Sequence, residues 1–268
     1  MTEYRETSPE QQESQKRLER VSKFVRPLIE DGVQPIRLPN DPDRSFFLVS
    51  RKIKNPAIST QTVDKQTFSQ LGKWAAGFTS AWILDIIEEI PPGSKHYIPV
   101  GHRDLRVARF DDGNVIASGN MNVNRGLARK TPNHLSPEFA HACQEADALW
   151  GMNGIDVLPS MNEALSPNYD EVDVEKERLA GFFTKHKISP DQSWRRLGLG
   201  KLLTGVEMEL LRQLNVERLE APSVSESLRG IHESLYTVAD MDAHSRVVLS
   251  RIPQDRYVSM IDPFIPKE

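Results

Sequence analysis

Apolar residues recur at helical spacing most clearly between Leu199 and Leu214, where Leu199, Leu202, Leu203, Val206, Leu210, Leu211 and Leu214 fall on one face. Lys201, Glu207, Glu209 and Arg212 fall mostly elsewhere, so the pattern predicts an amphipathic helix that Asn215 can close in a left-handed conformation. The run Val63 to Ile90 also reads as helical, from Phe68, Leu71, Trp74, Ala75, Phe78, Trp82, Ile86 and Ile90, with Pro91-Pro92-Gly93 as its stop. Pro137 to Trp150 and Ser225 to Tyr236 give two further helices. Short apolar runs predict strands at Ser45 to Arg51, Arg106 to Phe110, Asn114 to Met121 and Val247 to Ile252. Asp111-Asp112-Gly113 joins the second and third of these as a hairpin.

The stretch Phe182 to Asn215 reads as a strand, a glycine-bearing turn and a helix in succession. The turn carries chemistry. First-turn N–H groups of a helix have no intrahelical partner, and together with the roughly +0.5 charge of a helix N-terminus they suit an anion. Gly198 and Gly200 let the chain approach closely, and Arg195, Arg196 and Lys201 add positive charge at the same end, so the turn is a candidate phosphate cradle.

Arg195-Arg196-Leu197-Gly198-Leu199-Gly200, followed by Leu202-Leu203, resembles the R/Q-x-x-G-x-G/A pyrophosphate-binding signature of the GNAT superfamily of N-acetyltransferases. The resemblance implies an α/β fold with a mixed, mostly antiparallel sheet flanked by helices, and it covers roughly Leu105 to Ile252. It implies that the hairpin supplies the second and third strands, Arg178 to Ile188 the fourth and Val216 to Ala221 the fifth. It also implies acetyl-CoA or another acyl-CoA as co-substrate, with its pyrophosphate on the amides of Leu197 to Lys201 and its pantetheine on the backbone of Ile188. Tyr236, on the helix after the fifth strand, stands where the family carries the acid that protonates the leaving thiolate. The chain departs from the family in two places: Pro190 lies far upstream of Arg195, and Gly126 to Val172 separates the third and fourth strands as an inserted lobe.

Composition narrows the classes of function. At 268 residues and a net charge of -4, the chain has the size for a substantial core and no overall electrostatic attraction to nucleic acid. Cys143 is the only cysteine, which excludes an intramolecular disulfide and a cysteine-based zinc cluster. The opening residues lack an apolar signal region and no later run is long enough to span a membrane, so a cytoplasmic location is the expectation. Met1 to Arg20 is a polar tail that buries little, and Pro27, Pro35, Pro39 and Pro42 punctuate the stretch from Val21 to Asp43, so 1–44 reads as a polar N-terminal helical extension. Residues 45–268 then form the acyltransferase domain, with its insertion at about 126–172. That insertion carries Trp150, Met152, Met161 and Tyr169, either as a flap with its own apolar contacts or as a cover for the acceptor.

Transfer to an amine needs a group to take the amine proton, and Glu175 and Glu177 precede the expected fourth strand. A rival constellation is His102-Arg103-Asp104 with the distant His244, the donor set of a non-haem Fe(II)/2-oxoglutarate oxygenase. A third reading is a non-catalytic GNAT-like binding module whose cradle is unused. The sequence names neither the acceptor, nor the acyl chain, nor the oligomeric state.

Overall fold

The computed structural model describes residues 8–54, 78–109, 115–119, 135–150, 157–169, 172–220, 226–243 and 246–267. Their centre is one seven-stranded sheet whose strands lie side by side in sequence order. The strands are β1 (Val33–Ile36), β2 (Ser45–Lys54), β3 (Phe78–Glu89), β4 (Tyr97–Arg109), β5 (Val115–Gly119), β6 (Arg218–Glu220) and β7 (Val247–Val248). β1 to β5 pair antiparallel, β5 and β6 pair parallel, and β6 and β7 are antiparallel again. The helices are α1 (Pro9–Val25), α2 (Pro137–Leu149), α3 (Met161–Ala164), α4 (Asp173–Lys185), α5 (Leu199–Gln213), α6 (Glu226–Leu235) and α7 (Gln254–Ile261).

β3 corrects the helix expected from Val63 to Ile90; the part of that run before Phe78 lies outside the described residues. Every residue from Ala81 to Glu89 is buried. A central strand covered on both faces shows no alternation, and a continuous apolar run fits a helical template by accident. Arg178 to Ile188, expected as the fourth strand, belongs to α4 and its C-terminal turn instead. Its buried residues Glu175, Leu179, Phe182 and Phe183 follow a helical stripe, Asp173 and Glu175 occupy its first turn and Lys185 its last.

The strand that pairs with β6 is β5, the second arm of the expected hairpin. The inserted lobe therefore lies after that strand, between β5 and α5, and not between the third and fourth strands. Val247 and Val248 alone form the last strand, and Leu249–Arg251 turns as a short 3-10 helix.

From Ser8 to Arg20 the chain is mostly exposed, and α1 starts there on a capping box between Ser8 and Gln11. From Val21 onward the helix is part of the core: Val21, Phe24 and Val25 are buried with Leu28, and β1 pairs with β2 across position 44. Ser50 Oγ donates to Leu28 O at 2.6 Å and Trp82 Nε1 to Ile29 O at 3.0 Å, tying this segment to β2 and β3. One face of the sheet carries α1, α5 and α7 over Leu48, Leu84, Ile86 and Leu105. The other carries α2 over β3 and β4.

Candidate functional site

α5 follows the inserted lobe and leads into β6, so it is the crossover that a parallel pair of strands requires. Its N-cap is Gly198 at φ +83°, and no side chain among the described residues caps it. Leu202 N–H donates to Gly198 O at 3.0 Å, so the intrahelical ladder begins there. Its C-terminus closes as expected: Asn215 adopts φ +55°, and Val216 N–H returns to Leu211 O at 3.0 Å.

The two glycines have packing reasons of their own. A Cβ on Gly198 would stand 2.9 Å from Phe264 Cζ, and one on Gly200 would stand 3.4 Å from Ile231 Cδ1. Arg195 turns away from the helix end: it pairs with Glu163, lies over the Tyr169 ring at 5.5 Å, and thereby holds the loop to the inserted lobe. Arg196 is exposed and left-handed at φ +66°. Leu197 is half-buried, Leu199 fully buried, and Lys201 exposed. A cavity of about 650 Å³ opens beside this end of α5, with Gly198, Lys201, Ser234, Arg256, Phe264 and Arg17 in its walls. Arg17 is anchored by Asp262 at 3.1 Å and Arg256 by Asp240 at 3.2 Å.

Tyr236 follows the last residue of α6, half-buried, with its ring 5.3 Å from that of His232. His232 is buried, and burial followed by the charge of Arg103 holds it down at about 4. Two other expected site residues lie elsewhere. Ile188 spends its N–H on Phe183 O at 3.0 Å while closing α4, so it offers no open strand edge to a pantetheine. Glu177 is exposed on α4 rather than leading into a strand, and Glu175 is buried beside Arg178.

Sequence reasoning missed a charged network beneath α2. Arg51 donates to Asp85 at 2.5 Å and to both carboxylate oxygens of Asp147 at 2.8 Å. Asp85 Oδ1 lies 2.7 Å from His102 Nδ1. All four residues are buried. Burial disfavours charge on each, but Arg51 and His102 outweigh it at Asp85 and lower its pKa. Burial, with the Asp85 carboxylate beyond Arg51, pushes Asp147 up. At His102 burial is outweighed by the hydrogen bond and charge of Asp85 and by Asp104, which raise it. An Arg and an Asp on neighbouring apolar strands were the available signal, because a charge in such a run requires a buried partner.

His102 Nε2 is 3.8 Å from Asp104 Oδ1, while His244 lies outside the described residues. Among the described residues the strands form one sheet, which differs from the two facing sheets of a jelly roll, the fold expected for the oxygenase reading. In comparisons with known proteins no family model matches the chain, and no curated protein or solved structure matches it either.

Proposed function

We propose that the chain is an acyltransferase moving an acetyl or other acyl group from a CoA thioester to an amine by direct attack. The observation that carries this reading is the position of α5. Its glycine-led N-terminus stands at the carboxyl end of β5, and the helix crosses over to β6, which forms with β5 the only parallel pair among the described strands. Ligands of open α/β sheets bind outside the carboxyl ends of parallel strands, and a helix N-terminus there favours phosphate.

In this reading the pyrophosphate of CoA takes the amides of Leu197 to Lys201, with Lys201 as its charged partner, and the adjoining cavity gives space to the phosphate-bearing end of the molecule. The neutral amine nitrogen attacks the thioester carbonyl, the N–C bond forms as the C–S bond breaks, the nitrogen sheds one proton to solvent, and Tyr236 supplies a proton to the thiolate. Arg195 contributes to the loop through Glu163 rather than as a phosphate ligand.

Calorimetry with CoA tests this. Wild-type protein should give saturable heat, Gly200→Glu should lose it by setting a carboxylate against the anion, and Lys201→Ala should weaken it by about 1–3 kcal/mol. Wild-type protein that gives no heat with millimolar CoA or acetyl-CoA removes the proposal.

A further inference from the structure

The face of the sheet opposite α5 holds a second set of reactive side chains. Strand register places Asp85 opposite His102 and Ile83 opposite Asp104, so both carboxylates share one face with the imidazole. His102 Nδ1 is committed to Asp85 at 2.7 Å, and Nε2 faces Asp104 at 3.8 Å. The imidazole lies against the Trp150 indole at 5.6 Å between centroids and 27° between planes. Trp150 is 6% exposed, and its Nε1 is buried with no hydrogen-bond acceptor among the described residues.

The position along β4 matters as much. Gly119, the last residue of β5, pairs with Leu105, and Val157 bridges to Gly101. His102 and Asp104 therefore sit between those two pairings, beside the carboxyl end of β5 and on the side of the sheet away from the candidate cofactor loop.

We propose that His102, Asp104 and Trp150 form a binding site for a compact primary amine that carries a carbonyl or hydroxyl oxygen close to its nitrogen, with His102 taking the amine proton. Asp104 pairs with the ammonium, Trp150 Nε1–H donates to the neighbouring oxygen, and His102 Nε2 accepts the proton. Asp85 is the positioning residue: it fixes the tautomer and, with Asp104, makes the imidazole a stronger base. Arg51 is an opposing charge on the same face, and Asp85 and Asp147 pair with it. The use of the bound amine rests on the acyltransferase reading; its binding does not.

The test is NMR of histidine-labelled protein, with and without saturating CoA, titrated with ethanolamine, glycinamide and alaninamide. The ring signals of His102 should move saturably with at least one of these, while those of His232, on the opposite face, stay still. Asp104→Asn should weaken that response tenfold or more. His102→Asn keeps a donor to Asp85 and identifies the signal; if it does not fold, through-space contacts to Trp150 identify it instead. A silent His102 with all three amines overturns the proposal, as does an unchanged affinity in Asp104→Asn. A His102 that responds in protein with no heat from CoA keeps the amine site and removes the acyltransferase reading.

Discussion

Gly198 is the residue on which the geometry of the loop turns. It needs a positive φ at the N-cap and has no room for a Cβ against the Phe264 ring. Gly198→Ala should therefore cost about 1–2 kcal/mol from the backbone alone, with a further loss from the clash. Urea denaturation measures it, and a variant as stable as the wild type would contradict the packing argument. The same contact makes Gly200 the better position for probing an anion, because its neighbour is the tip of a flexible isoleucine. His232 gives a pH signature. Its imidazole is held at about 4 in the folded chain against 6.5 when exposed. The unfolded chain thus binds the proton first, and stability is lost as the pH falls from 6.5 towards 4. Between about pH 7 and about pH 4.5, wild type should lose about 2 kcal/mol more than His232→Gln. Parallel pH dependences of the two would show that His232 does not titrate in this way.

Among elements, α2 is attached to the sheet by charge. Asp147 reaches through to Arg51 on β2, which reaches Asp85 on β3, so a helix of the inserted lobe is docked to two central strands by a buried guanidinium. Removing that guanidinium leaves two buried carboxylates without their partner. Arg51→Ala should cost about 3–5 kcal/mol, and pairing Arg51→Met with Asp147→Leu should recover part of it. Hydrogen exchange reports the location: amides of Pro137–Leu149 should lose protection before those of α5. Unchanged protection in α2 would mean that its apolar contacts, Ala142 and Cys143 against Val49 and Ile87, suffice to hold it. α2 and α4 are tied as well, where Glu145 meets His186 at 3.1 Å and also Lys185. Against the upward pull of burial, these hydrogen bonds hold Glu145 at about 2.

On the scale of the molecule, residues 21–44 do not behave as an appendage. Val21, Phe24, Val25, Leu28, Ile36 and Leu38 are all buried, and each contributes about 1.5–3 kcal/mol of burial. Their sum rivals the whole stability of a domain, about 5–15 kcal/mol. A chain beginning at Ser45 should therefore show no cooperative melt, whereas one beginning at Ser8 should melt like the full chain. A cooperative transition in the shorter chain would restore the boundary at position 44. Arg17 and Arg20 join α1 to Asp262, so these two segments meet beside the N-terminus of α5.

Contacts between neighbouring residues are what the sequence determined unaided. The leucine stripe of α5, its glycine start, its left-handed Asn215 end and the strands either side of Asp111-Asp112-Gly113 depend on contacts a few residues long, and all were legible. The resemblance to the GNAT signature rested on the same local stretch. Tertiary structure decided the rest. β3 is a strand because the sheet covers both its faces, and the parallel partner of β6 is set by a pairing that joins Ile116 to Arg218. The Arg51, Asp85, His102 and Asp147 network draws on two strand pairings and a helix about a hundred positions away. Period and spacing carry no record of such contacts, because a buried charge finds its partner through the fold and not along the chain.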